Sequence, residues 1–261
     1  RAARFATAVL AGALAALIGA TPAVALAPEE DPVRAAEYWL DDYGIREAWK
    51  TTKGAGVRIA IIDTGIGRAP EVDGAVVGGI DVSGSGSPDG RSPVGAVDSN
   101  HGSWVASLAA ARGTGPDSGM IGVAPEAELL SISVGFGESA NVPFADQIAE
   151  AMVWAVDNGA DVINLSLTTN VPDWDESWDD AFMYAFDNDV VVVVAAGNRG
   201  SGTTRVGAPA TIPGVLTVGG VDPSGRASIE ASTQGITIGV SAPSEQLIGV
   251  SSDGRVVLWN G

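Results

Sequence analysis

The chain has 261 residues, 46% apolar and 18% charged, with 35 Gly and 14 Pro. That suits one large α/β domain or two small ones with a self-sustaining core. It excludes disordered, collagen-like and repeat architectures. Cysteine is absent, so disulfides, thiolate nucleophiles, iron–sulfur clusters and Cys-bearing zinc sites are out. His101 is the sole histidine, which removes multi-His metal sites and leaves one residue for any imidazole chemistry. The two lysines, Lys50 and Lys53, lie in no G-x-x-x-x-G-K-[ST] loop, so a Walker-type nucleotide site is unsupported. Fourteen basic residues against 32 acidic ones give −18, a surface that repels phosphate backbones and argues against nucleic acid as a partner.

Residues 1–27 read as an export signal. Arg1 and Arg4 precede an Ala/Leu-rich run from Phe5 to Ala20, and Ala23-Val24-Ala25 is a small-x-small cleavage pattern behind Pro22. A retained membrane anchor is the competing reading, weakened by the Gly, Thr and Pro that interrupt the run. Arg rather than Met at position 1 leads to the expectation of a fragment. Residues 28–47 form a linker or N-terminal extension, acidic from Pro28 to Val33 and amphipathic from Ala35 to Trp49.

From residue 48 onward apolar runs alternate with helical patterns. Strands are expected at Val57–Ile62, Ala75–Val82, Glu128–Val134, Asp161–Leu167, Val190–Ala196, Val215–Val221 and Ile236–Val240. Helices are expected at Gly102–Arg112, Pro143–Asn158 and Asp175–Asn188, the last with an acidic start that suits its dipole. Continuous apolar strands separated by helices imply a mostly parallel sheet flanked on both faces. Such sheets bind ligands at the carboxyl ends of their strands, so chemistry is sought there.

Four segments stand out. Asp63-Thr64-Gly65 follows the first strand, where an ordinary strand-to-loop Asp is the plainer reading. Ser99-Asn100-His101-Gly102-Ser103 opens a helix of small residues, where a capping or buried His is the usual case. Ala195-Ala196-Gly197-Asn198 ends the most apolar strand; its amide can donate to a developing oxyanion or simply fill a left-handed turn. Asn164-Leu165-Ser166-Leu167 ends a strand that could pair with an extended peptide.

Taken together and in this order, Asp63-Thr64-Gly65, His101-Gly102-Ser103-x-Val105-Ala106, Asn164-x-Ser166-Leu167 and Ala195-Ala196-Gly197-Asn198 resemble the subtilisin-like serine peptidases (subtilases), over residues 48–261. The signal and the acidic composition resemble mycosin-type actinobacterial members. The resemblance implies a three-layer α/β fold with a mostly parallel central sheet, and an exported endopeptidase acting on extracellular or cell-envelope polypeptides. It implies that Asp63 orients His101, that His101 is general base and then general acid, and that Asn198 is the oxyanion donor. Ser166, Leu167, Ala195, Ala196 and Gly197 would line the primary pocket, with Ser133 and Gly135 across the cleft. The order Asp, His, Ser is that of subtilisin.

The family places its nucleophile in an N/G-G-T-S-x-A-x-P segment opening a buried helix. Asn260-Gly261 resemble the residues just before that T-S, so the nucleophilic Ser is expected beyond Gly261, and this chain is expected to lack the final buried helix and to be inactive alone. Ser103, beside the imidazole, is expected to be structural. Thr168 stands where the family usually has Gly. Only residues 28–47 separate signal from domain, too few for a folding pro-domain.

No cofactor is required by such a triad. Asp81, Asp89 and Asp98 lie in a Gly/Ser-rich stretch compatible with calcium, but no D-x-D-x-D-G loop is present and no metal is assigned. A monomer is expected, with membrane contact only through the signal or an unseen C-terminal anchor. Trp174, Asp175, Glu176, Trp178, Asp179 and Asp180 read as a solvated acidic–aromatic helix start. The competing function is a non-catalytic module gripping peptides on the same fold. A Rossmann-type nucleotide binder fails for want of G-x-G-x-x-G after the first strand.

Overall fold

The computed structural model describes residues 30–95, 99–137, 140–202 and 204–261. The export signal, the start of the linker and Asp98 lie outside the described residues. The chain opens with three short helices, α1 (Pro32–Ala36), α2 (Trp39–Asp42) and α3 (Ile45–Ala48). They replace the single amphipathic stretch expected there, because Gly44 takes a left-handed conformation between the second and third. Then follow β1 (Arg58–Asp63), α4 (Pro70–Asp73), β2 (Val76–Asp81), α5 (His101–Ala110), β3 (Glu128–Ser133), α6 (Phe144–Asp157), β4 (Val162–Leu165), α7 (Ser177–Asp187), β5 (Val191–Ala195), β6 (Leu216–Val221) and β7 (Ile238–Pro243). All seven strands expected from the sequence form. The last runs later than expected, because Ile236 is fully exposed ahead of the sheet edge.

These strands make one parallel sheet of order β2-β3-β1-β4-β5-β6-β7. β1 lies inside it, flanked by β3 and β4. The period-two alternation of a strand divides its side chains between two cores. Ala60 and Ile62 face one core together with Ile132, Ile163, Leu165, Val192 and Val194. α6 and α7 cover that face through Ile148, Met152, Trp178, Phe182 and Ala185. Trp178 is therefore buried and donates to the Ala145 carbonyl, which corrects the reading of a wholly solvated helix start: the indole faces inward while the acids beside it face out.

Ile61 and Leu129 face the opposite core, with α5, Trp39, Leu40, Leu247, Ile248 and Val250. The last three belong to an antiparallel hairpin that the sequence reading missed, β8 (Leu247–Val250) with β9 (Val256–Trp259). Its signal was present: Asp253-Gly254 between two apolar runs is a hairpin turn signature. This second layer covers β1 and β3. Over β4 to β6 it is open. Val162, Val193 and Val218 line a cavity of about 670 Å³ there, and Val191 and Leu216 are exposed.

Glu37 ties the N-terminal helices to the segment between α5 and β3. Its Oε1 accepts from the Ile121 amide at 2.7 Å, and Arg34 Nη1 lies 3.7 Å from Oε2. Burial pushes the carboxyl from 4.5 up to about 7, outweighing the Ile121 hydrogen bond and the Arg34 and Arg46 charges; Asp31 adds to the rise. Between pH 4.5 and 7 the folded state then holds a proton that the unfolded state has released, so stability falls as pH rises through that window. Glu37→Gln should flatten this dependence in urea melts taken from pH 4 to 8. In the core, Phe182→Ala should cost about 3–5 kcal/mol in the same melts, whereas Met183→Ala, exposed on the same helix, should stay within about 0.5 kcal/mol.

Candidate active site

Asp63 is the last residue of β1 and is 1% exposed. A carboxylate so buried needs partners. Its Oδ1 accepts from the Thr64 amide at 2.7 Å, and both its oxygens lie 2.9 Å from His101 Nδ1. With Nδ1–H donating to the carboxylate, the imidazole carries its lone pair on Nε2, the tautomer a general base requires.

His101 is the first residue of α5, so the helix start sets where the ring stands. Four hydrogen bonds fix that start. The Thr64 hydroxyl donates to the Ser99 carbonyl at 2.8 Å and accepts from the Gly102 amide at 3.0 Å. Ser103 Oγ accepts from the Gly67 amide at 2.9 Å, the structural role expected of it. Asn100 Oδ1 accepts from the Ser252 amide at 2.8 Å, in the turn of the β8–β9 hairpin. Gly102 is required by proximity: a Cβ there would sit 2.7 Å from the Gly65 carbonyl oxygen and 3.1 Å from Asp63 Cβ. The small residues after it, Ala106 and Ala110, are fully buried and let α5 press onto the sheet.

Asn198 follows β5. Gly197 takes the positive φ of this turn at 95°, while Asn198 is extended at φ −110°. The left-handed alternative considered for Asn198 therefore does not apply. His101 and Asn198 line the same cavity, with Gly261 and Trp259 beside them. Ser166, Leu167, Ala195, Ala196 and Gly197 line it too, joined by Thr168. Ser133 and Gly135 stay outside it. The Ser133 hydroxyl is buried and donates to Asp81 Oδ1 at 2.8 Å. The N–H and C=O of Gly135 are both bonded by the Gln147 side-chain amide.

Asp81 is a hydrogen-bonded carboxylate. Burial raises its pKa, but bonds from Ser83, Ser133 and the Gly86 amide prevail and hold it below the ordinary value. Among the described residues no group of three or more His, Asp or Glu side chains is placed to share a metal ion.

Sequence reasoning missed three contributors. Thr64 was quoted only as part of a motif. Trp104 and Trp259 pack together beside His101, with ring centroids 6.5 and 5.6 Å from the imidazole and 5.7 Å from each other. Recognising the Asp253-Gly254 hairpin would have brought Trp259 toward the site.

The parallel sheet thus carries a buried carboxylate, its imidazole partner and a strand-end amide on one rim, the rim where such sheets bind ligands. Residues 54–258 match the subtilase family, peptidase S8. The chain belongs to that family. It is 36% identical over 216 residues to a thermophilic serine proteinase of Bacillus sp. (strain AK1), covering 82% of this chain and 50% of that protein. It is 33% identical over 263 residues to mycosin-1 of Mycobacterium tuberculosis (strain ATCC 25618 / H37Rv), covering 84% of this chain and 56% of that protein. The chain thus spans about half the length of these relatives. The crystal structure of MycP1 with its N-terminal propeptide removed superposes with a TM-score of 0.70 at 29% identity, over 86% of this chain and 78% of that one. The mycosin-like character expected from the sequence is supported by these matches.

Thr64→Val should leave the Ser99 carbonyl and the Gly102 amide without their buried partner, at a cost of about 1–3 kcal/mol. Thr64→Ser should recover most of it. Urea midpoints of the two variants against the parent chain decide the matter.

Proposed function

We propose that this chain is the larger part of the catalytic domain, residues 48–261, of an exported serine endopeptidase whose nucleophilic Ser follows Gly261. The observation that carries the reading is the Asp63–His101 pair at a cavity that Asn198 also lines. A Ser hydroxyl is a poor nucleophile at neutral pH and needs a base within hydrogen-bond reach. In this reading His101 Nε2 takes the hydroxyl proton as the Ser oxygen bonds to the scissile carbonyl carbon. Asp63 holds the imidazolium that forms, and the Asn198 amide donates to the oxyanion. His101 then returns the proton to the leaving amine as the C–N bond breaks, leaving an acyl-enzyme. Water repeats the sequence and releases the acid.

Two features support a polypeptide substrate. Ser166-Leu167 and Ala195-Ala196-Gly197 continue from adjacent parallel strands, β4 and β5, into the cavity wall, which suits an extended backbone. The uncovered apolar face over β4 to β6 is a seat for one further helix, and Gly261 lies on the wall of that same cavity. Residues 1–27 supply the export reading. Among the described residues no helix is long and apolar enough to cross a membrane.

The codons following Gly261 are the direct test. A Thr-Ser pair followed by small residues and Pro is expected; a stop codon, or Ala at that Ser, overturns the catalytic reading in favour of a peptide-binding module. In the extended protein a fluorophosphonate probe should label that Ser, and His101→Ala should abolish labelling. Asn198→Ala should lower kcat about 100- to 1,000-fold, a magnitude established on subtilisin itself, with little change in KM.

A further inference from the structure

α6 and α7 cover the sheet face opposite the one that carries the open cavity. On their outer side they leave a groove between them of about 650 Å³. Ala149, Val153 and Trp154 of α6 and Ala181 of α7 form its apolar floor. Val153 is 38% exposed, and so is Tyr184 beside the groove. The tyrosine hydroxyl donates across from α7 to Asp157 Oδ1 at 2.8 Å and closes one end. Glu150, Asp157 and Asp180 form the rim. Among the described residues none of these three carboxylates is paired with a cation. Between Arg112 and Arg199 the sequence has 15 acidic residues and no Lys, Arg or His. Arg58 reaches from β1 to the Asn158 carbonyl at the end of α6, but its guanidinium is already paired with Glu128 at 2.6 Å.

This acidity does not serve the helices themselves. Asp146 and Glu150 are a like-charged i,i+4 pair, which weakens a helix. Asp157 and Asp187 end α6 and α7 at the pole where the dipole favours cations. The pattern suits something that lies on them. An apolar floor between acidic rims is complementary to a segment with apolar side chains on one face and cations on its flanks. From Glu150 to Asp157 the rim runs about 10 Å along the helix axis, two turns of a partner helix. A second copy of this chain would bring a net charge of −18 to an equally acidic face, and an anionic membrane would bring phosphates, so both are repelled.

We infer that the α6–α7 groove is a docking site for a basic amphipathic helix of a partner protein, its apolar face seated on Val153 and Trp154 and its cations against Glu150, Asp157 and Asp180. The inference goes beyond the peptidase reading and does not depend on it, because no residue of the groove lines the active-site cavity.

The probe is a fluorescein-labelled peptide of about four helical turns, with leucines at i, i+3, i+4 and i+7 spacing and lysines on the flanks. It is titrated with the parent chain and its variants, and binding is read by anisotropy. Glu150→Gln combined with Asp180→Asn should weaken binding about 2- to 30-fold, the worth of two exposed ion pairs. Val153→Asn leaves the charge unchanged and should weaken it about 3- to 10-fold, the worth of the exposed share of one apolar side chain. Asp117→Asn combined with Glu126→Gln removes the same charge from exposed positions on the α5 side and should stay within about 2-fold, because separated surface charges are screened. A peptide of the same composition without an apolar face should bind more weakly than the amphipathic one. All the substituted positions are exposed; melting midpoints verify the fold, and if one groove variant unfolds the other carries the comparison. Equal weakening by the control pair, or equal binding of the two peptides, overturns the inference in favour of bulk charge attraction. Binding that neither groove variant changes overturns it by placing the peptide elsewhere, such as the open face over β4 to β6. Anionic vesicles that bind the parent chain but not Val153→Asn, or a dimer in sedimentation that the same change disperses, overturn it in favour of a membrane or a second copy. Failure of the catalytic reading would show separately, as a full-length protein without a fluorophosphonate-reactive Ser.

Discussion

The buried pairing of Asp63 with His101 is the constraint around which the rest is arranged. A carboxylate at 1% exposure is costly unless its lone pairs are used. Here the Thr64 amide and the imidazole use them. Meeting that demand requires the start of a helix to reach the end of an interior strand. It explains why α5 opens on the histidine itself, why a residue without a side chain comes next, and why the helix is otherwise built from Ala and Ser on its buried side. Gly, His and Ser are poorer helix formers than Ala, and the small residues among them suit a close approach to β1. The Thr64 hydroxyl joins the two elements in both directions, as donor to Ser99 and acceptor from Gly102.

The two faces of the sheet are treated differently. α6 and α7 close one face with large side chains. On the other face small-residue α5, the N-terminal helices and the hairpin cover only β1 and β3. The remaining apolar surface forms the floor of the cavity at whose wall His101, Asn198 and Gly261 meet. An exposed apolar face of this kind marks an interaction site or a missing layer.

Much of this was legible in the sequence. The β-branched runs of β1 and β5 admit few readings besides buried strands, and the lone histidine beside a glycine singled itself out by scarcity. Asp63, His101 and Asn198 could be singled out because each ends, opens or directly follows a strongly patterned element. What escaped had weaker local signatures. The hairpin was lost because its apolar runs are short and its turn was not weighed against them. Trp259 drew no reading, since nothing in local spacing says that a tryptophan will pack edge-on against a ring in a distant helix. Ser133 and Gly135 were drawn in by resemblance; in the structure their polar groups are engaged with Asp81 and Gln147, contacts that no local pattern encodes. Trp178 was misjudged because acids on both sides of it mask a helical period that turns it inward.

The topology itself accounts for the convergence. In a parallel sheet every strand delivers its carboxyl end to the same rim. Asp63 leaves β1, Ser166 leaves β4 and Asn198 follows β5, so three residues far apart in sequence arrive together without any special loop. β1 and β4 are neighbours, as are β4 and β5, so the rim positions follow one another across the sheet. His101 is the exception, because it starts a helix instead of ending a strand. In the proposed reaction it is also the group that moves protons, and its surroundings reach it from distant parts of the chain: Asp63 at Nδ1, Thr64 and Asn100 through the backbone around it, and two indoles packed together beside its ring. Groups placed by strand ends inherit the rigidity of the sheet. A group placed by a helix start needs separate restraint, and here hydrogen bonds from Thr64, Ser103 and Asn100 to distant segments supply it.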